Sequence, residues 1–301
     1  MVVPKIKLNN GVEIPCIGNG PMIAGYGKKK VVNNIFSRYI NRFITEPRIE
    51  RDYVEAVAHS FQVGFTLLDY SSSYGDGTLI GKAIKQSGIN REELFITTRI
   101  SNQAQREGKV RECLMEQLAG MGIEYVDMLM FHWPVPGYYL ETWKEMLKLY
   151  KEGCCRCLGV ANCHQHHLES IIDETGVIPA VNQVEVHPLF TQKPLLKYCF
   201  EKGIQVEAYT AIARFDDRLI RLPLLKQIAD KYNKTIAQIV LRWHIQTGTI
   251  PLVRSLNKGR QKENIDIFDF SLSDEEMMAI DGININSRLR YDPDNCDFSI
   301  L

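Results

Sequence analysis

Apolar residues along the chain fall into two alternating patterns: short runs of aliphatic and β-branched side chains, and longer stretches where they recur every third or fourth position. The short runs predict strands at FTLLDYS (65–71), LFITTRI (94–100), YVDMLMFHW (125–133), CRCLGVAN (155–162), AVNQVEVH (180–187), IQVEAYTA (204–211) and TIPLVRS (249–255). Between them GTLIGKAIKQSG, KVRECLMEQLAGMG, YLETWKEMLKLYKEG and KPLLKYCFEKG predict amphipathic helices, with Gly88, Gly153 and Gly203 as stops. Strand followed by helix, repeated, is the pattern of a parallel sheet. CIGNG (16–20) supplies an eighth strand, and no composition shift or Ser/Pro-rich linker marks a second domain. The expected architecture is therefore α/β, a single (β/α)8 barrel domain over 1–301. KIKLNNGVEIPCI, with Asn10-Gly11 at its turn, predicts an N-terminal β-hairpin across the barrel floor.

A length of 301 residues suits either two ordinary domains or one such barrel, and the unbroken alternation selects the barrel. Basic and acidic side chains balance at 36 each, which argues against nucleic acid as the main partner. No apolar run approaches the roughly 20 residues of a membrane helix, and the start MVVPKIKLNN lacks the apolar stretch of a secretory signal. These features predict a cytoplasmic protein with a small-molecule partner, a monomer or weak oligomer. Among eight cysteines only Cys154, Cys155 and Cys157 cluster, and zinc would need a second ligand pair. CCRCLGV reads instead as a strand whose thiols act as small hydrophobes, so no metal is expected.

In a (β/α)8 barrel chemistry belongs at the carboxyl ends of the strands. That rule selects Asp69 and Tyr74 after one strand, Arg99 near the end of the next, and His132 with Trp133 at a third. A cation beside a tyrosine stabilises tyrosinate and lowers a pKa otherwise about 10, which makes the phenol a usable acid toward a carbonyl oxygen. No G-x-G-x-x-G follows the first strand, so a Rossmann site has no support.

GFTLLDYSSSYG, SGINREELFITTR, YVDMLMFHWP, VNQVEVHPL, AYT and IPLVRSLNKGRQKEN together resemble the aldo-keto reductase family over nearly the whole chain. The resemblance implies reduction of an aldehyde or ketone by hydride transfer from NADPH, with Tyr74 as proton donor, Asp69 holding the cation and His132 orienting the carbonyl. It places Trp133 in the substrate pocket. Arg99 stands where the family has a lysine; the charge is kept, the planar fork is bulkier, and a lysine there is expected to raise turnover. Asn162 and Gln183 match the pair that binds the nicotinamide carboxamide, and Tyr209 the aromatic on which its ring stacks. Arg254, Ser255 and Arg260 match the 2′-phosphate site, Glu263 and Asn264 the adenine site, and Gly20, Pro21 and Met22 the backbone along the cofactor. Ala161 replaces a usual serine, Pro21 a usual threonine and Arg254 a usual lysine.

Residues 23–50 form the stretch least like the family, a long insertion after the first barrel strand. Lys28, Lys29, Lys30, Arg38, Arg42 and Arg48 oppose only Glu46 and Glu50 there, so the insertion either favours an anionic substrate or is a solvated surface segment. Ile35, Phe36, Tyr39, Ile40 and Phe43 lend it an amphipathic pattern. The ending after NSRLRYDPDNCDF predicts a short tail that leaves the pocket open on that side. The rival to the reductase is an NADPH-binding regulatory or scaffold protein with little turnover, and position 99 divides the two.

Overall fold

Residues 3–22, 46–72 and 76–298 are described by a computed structural model. The hairpin comes first, β1 (Lys5–Lys7) and β2 (Glu13–Pro15), antiparallel with Ile6 opposite Ile14. Then follow β3 (Gly18–Asn19), α1 (Glu46–Val63), β4 (Leu67–Asp69), α2 (Gly77–Ser87), β5 (Phe95–Ile100), α3 (Asn102–Glu107), α4 (Val110–Met121), β6 (Val126–Phe131) and α5 (Tyr139–Lys151). The second half adds β7 (Cys155–Ala161), α6 (Gln165–Thr175), β8 (Val181–Glu185), α7 (Lys193–Glu201), β9 (Gln205–Tyr209), α8 (Asp217–Ile220), α9 (Pro223–Tyr232), α10 (Ile236–Thr247), β10 (Ile250–Val253), α11 (Lys258–Ile265) and α12 (Asp274–Asp281). Strands β3 to β10 are parallel neighbours in sequence order, and β10 closes onto β3.

The period of two in the strands sorts their side chains. Leu67, Phe95, Met128, Met130, Cys157, Val181, Ile250 and Leu252 pack inside the barrel, sealed below by Leu8 and Ile14 of the hairpin. Leu68, Ile96, Leu129, Phe131, Val160, Val184 and Val206 pack outward against the helices. The hairpin is tied to the floor where Asn9 Nδ2 donates to Pro179 O and Asn10 Nδ2 to Arg156 O, both at 3.1 Å. Crowding inside explains Gly18, since a Cβ there would stand 2.6 Å from Leu252 and 2.7 Å from Leu67. Gly88 ends α2 with φ 71°, a left-handed turn that a side chain resists.

The eight strands fall within the expected segments. In the insertion, residues 23–45, with Lys28 to Arg42 and the apolar residues between them, lie outside the described residues; residues 46–50 already belong to α1. The tail departs from expectation. Leu289 and Arg290 donate their backbone N–H groups to the two carboxylate oxygens of Glu185, at 2.7 and 3.0 Å. Tyr291 and Phe298 then set their rings edge-on to Trp133, at 6.5 and 6.4 Å. Residues 289–298 therefore pack against that wall of the mouth, because a buried carboxylate needs donors and these backbone groups supply them. The thiols of Cys155 and Cys157 are buried in β7, and burial pushes Cys155 up to about 12. Among the described residues no helix is long and apolar enough to cross a membrane.

Candidate functional site

At the carboxyl ends of β4 and β5 the register sets Asp69 beside Thr97, with Arg99 two residues further along. Arg99 is 1% exposed and Asp69 4%, so neither charge is shielded by water. Such a pair persists only with good geometry and further hydrogen bonds. Arg99 Nη2 donates to Asp69 Oδ1 at 2.5 Å and to Gln183 Oε1 at 2.6 Å, while Nη1 donates to the carbonyl of Tyr70 at 2.8 Å. The guanidinium fork thus spans acceptors from β4, the residue after it, and β8.

Gln183 is buried in the same layer. Its Nε2 donates to Glu207 Oε2 at 2.7 Å and to Asp69 Oδ1 at 3.2 Å. The β8–β9 register sets Gln183 directly opposite Glu207. Glu207 was not among the sequence candidates. Its signal was present, since Gln205, Glu207 and Tyr209 alternate with Val206 and Ala208, which puts an acid at an inward position.

Nearer the mouth, His132 follows β6 and its backbone N–H donates to Ile100 O at 3.1 Å. Burial, with the charges of Arg99 and Arg290 nearby, pushes its imidazole down to about 3. The ring is neutral at physiological pH and presents one donor and one acceptor. Asn162, in the left-handed region at φ 60°, donates from Nδ2 to His132 O at 2.9 Å, and its Oδ1 accepts from the Tyr209 hydroxyl at 2.7 Å. One amide therefore joins the ends of three strands. Trp133 is buried and Tyr209 half-buried. Tyr74 lies outside the described residues.

A strip of backbone links this centre to the segment after β10. Gly20 N donates to Val253 O at 2.8 Å, and a Cβ at Gly20 would stand 3.5 Å from Asp69 Oδ2. Pro21 O accepts from Tyr53 Oη at 3.4 Å, and Met22 Sδ lies 3.7 Å from Arg254 Nη1. Arg254 and Arg260 are exposed and have no carboxylate partner among the described residues. Ser255 Oγ accepts from Asn257 N at 3.2 Å, and Asn257 caps α11 by accepting from Arg260 N at 2.9 Å. Glu263 accepts from Thr235 Oγ1 at 2.9 Å, and Asn264 is buried. Gln261, another residue outside the sequence candidates, pins the segment by donating to Ala56 O and Ser255 O, both at 2.9 Å. Its lone polar letter within a basic helix carries no readable signal.

The layout combines a buried, carboxylate-held cation, a neutral imidazole beside it, and an exposed cationic helix start joined to them by residues 20–22. It can activate a nearby acid and hold an anionic group at a distance.

The family profile described as Aldo/keto reductase family matches residues 44–285. Methylglyoxal reductase DkgA of Escherichia coli (strain K12) is 38% identical over 245 residues, 81% of this chain and 88% of that protein. Glyoxal reductase of Bacillus subtilis (strain 168) is 36% identical over 293 residues, 97% of each. Among solved structures, a Bombyx mori aldo-keto reductase in complex with NADP superposes with a TM-score of 0.82 at 31% identity, covering 98% of this chain and 97% of that one. Closed barrel and matches across the length of the chain agree: it belongs to the aldo/keto reductase family.

Proposed function

We propose that this protein reduces an aldehyde or ketone to the alcohol with NADPH, using Tyr74 as the proton donor and Arg99 as the cation that strengthens it. The observation that carries the reading is the enclosed Asp69–Arg99 pair, a fixed positive group at the strand ends from which Tyr74 follows by five residues. Arg99 keeps its charge at every accessible pH, so a phenol near it is a stronger acid than in water. Neutral His132 orients the carbonyl oxygen by a hydrogen bond and adds no charge that titrates near neutral pH.

The residues present fit the cofactor. Arg254, just after β10, and Arg260, in the first turn of α11, stand exposed without acidic partners among the described residues, an arrangement suited to a phosphate. Glu263 and Asn264 would flank the adenine, Gly20 to Met22 would line its path, and Tyr209 would stack on the nicotinamide. Asn162 and Gln183 sit where the carboxamide would lie. NADPH, when bound, supplies the hydride. The chain's part is to fix that ring, exclude water and deliver the proton from the Tyr74 hydroxyl to the forming alkoxide.

The names of the relatives favour a small carbonyl compound as substrate. Trp133, with Tyr291 and Phe298 against it, offers an aromatic wall, while Arg290 near His132 adds positive charge that suits an anionic carbonyl. The test is purified protein with NADPH and a panel of aldehydes, ketones and dicarbonyls, followed at the cofactor's absorbance band. Loss of that signal in Tyr74→Phe supports the reading. NADPH binding without turnover of any carbonyl overturns it and leaves the scaffold role.

A further inference from the structure

Glu207 is a buried acid that the proposed reaction leaves without a task. It is 0% exposed, points into the barrel from β9 and lies opposite Gln183 in register. Oε2 accepts from Gln183 Nε2, whereas Oε1 is buried with no hydrogen-bond partner among the described residues. A barrel interior packed with Leu, Met and Val has no need of such a group for stability, and a half-satisfied buried carboxylate costs free energy. Its placement points to what it does for its neighbour.

A glutamine amide can present either end to a site, and its partners decide which. Here the nitrogen end faces two carboxylates, Glu207 at 2.7 Å and Asp69 at 3.2 Å, so the oxygen end is turned onto Arg99 Nη2 at 2.6 Å. Of the two acids, Glu207 makes the shorter bond, and Asp69 is already occupied by the guanidinium. We propose that Glu207 is a positioning residue of the reductase centre: by accepting the Gln183 amide it fixes the Gln183 oxygen on Arg99 and keeps the guanidinium seated on Asp69. This rests on the reductase reading and deepens it, because it makes the place of the cation depend on a chain of contacts from β4 to β9.

Glu207 also brings a second negative charge. Asp69 on β4, Arg99 on β5, Cys157 on β7 and Gln183 on β8 face it, and on the β10 side its register partner is Ile250. Burial first, and then Asp69, raise its carboxyl to about 7, against the opposing pull of Gln183 and Arg99. Below that pH the layer holds one cation and one anion. Above it a second anion appears, offsets the field of Arg99 and weakens Tyr74 as an acid, so carbonyl reduction slows as pH rises through this range.

The test compares wild type, Glu207→Gln and Glu207→Leu in kcat, KM and NADPH affinity from about pH 5.5 to 9. Glu207→Gln still offers an oxygen to Gln183 but cannot ionise, so it should hold kcat near the wild-type acid-side value and lose the fall near pH 7. Glu207→Leu removes the acceptor and should lower kcat about tenfold, more than the loss of NADPH affinity that a loosened Gln183 brings, because the cation is displaced as well. In parallel, 13C-labelled glutamate in the wild type should show a carboxyl titrating near neutral pH whose signal is missing in Glu207→Gln. An unchanged fall near pH 7 in Glu207→Gln, or wild-type kcat in Glu207→Leu, overturns the proposal. Should Glu207→Leu fail to fold, the Glu207→Gln profile decides alone. A wild-type protein inactive on every carbonyl removes the reductase reading and the positioning role with it, whereas active wild type with unaltered variants removes only Glu207.

Discussion

Arginines occupy both ends of the site, and their surroundings differ in kind. Arg99 is enclosed, with Asp69, Tyr70 O and Gln183 around its fork; Arg254 after β10 and Arg260 in the first turn of α11 stand in solvent with no acid beside them among the described residues. In the interior, low polarity makes each contact strong and any unpaired group costly, so the cation is part of a built layer. At the surface, water screens the charge, so these side chains leave the fold alone and are spare for the phosphate of the proposed cofactor. Under the proposed function, burial thus divides one kind of side chain between positioning for chemistry and capture of a ligand.

The hardest test of this contrast removes the acid that the interior layer is proposed to serve. Tyr74→Phe should lower reductive turnover by about 10²- to 10⁴-fold while NADPH affinity, read by fluorescence titration, stays near wild type. Retained turnover would break the assignment of the interior as the chemical end.

Arg99→Met should come next, since it leaves Asp69 buried without its cation: a loss of about 3–5 kcal/mol in denaturant unfolding, with turnover nearly eliminated. Arg99→Lys separates charge from shape. The family resemblance alone favoured a gain for lysine, but the fork reaches Tyr70 O with one nitrogen and Asp69 with Gln183 through the other. A single ammonium cannot hold both sides of that layer, so turnover should fall in Arg99→Lys, and a rise would show that the guanidinium is a handicap.

At the surface end the effect should be smaller and confined to one ligand. Arg254→Ala or Arg260→Ala should weaken NADPH by about 1.5–3 kcal/mol, the range for hydrogen bonds to charged groups, with NADH binding and the melting temperature almost unmoved. Equal losses for both cofactors would remove the phosphate role.

The mildest perturbation is acid. Half-buried His132 and fully buried His244 are each pushed down to about 3, mainly by desolvation, so the unfolded chain takes up their protons first as pH falls below about 6.5. Stability from each is therefore present above that value and is lost progressively toward pH 3. At pH 5.5 the loss should be about 1.4 kcal/mol per histidine, visible as a lower urea midpoint and reduced in His244→Asn. A midpoint independent of pH between 7 and 5.5 would show that neither ring is held neutral.

Much of this was readable from one-dimensional pattern. Strand and helix periods, the glycine at Gly88 and the Asn10-Gly11 turn are local properties of a few consecutive residues, and a barrel follows once eight such units are strung together. The same rule placed Asp69, Arg99 and His132 at strand ends. What the tail does was misread because the reading went by its length: Glu185, more than a hundred positions away, collects the backbone donors of Leu289 and Arg290.

The sequence by itself thus determined which elements form and which side chains reach the mouth, since alternation and helical period are set by each segment's own steric and hydrophobic preferences. Only the tertiary structure decided how the charges share partners. Arg99 meets Gln183 across 84 positions and Gln183 meets Asp69 across 114, contacts that exist because the barrel closes and sets the register of β8 against β9. Hydrogen bonds and buried charges depend on differences of a few tenths of an ångström in the separation of such groups, and no spacing along the chain encodes those.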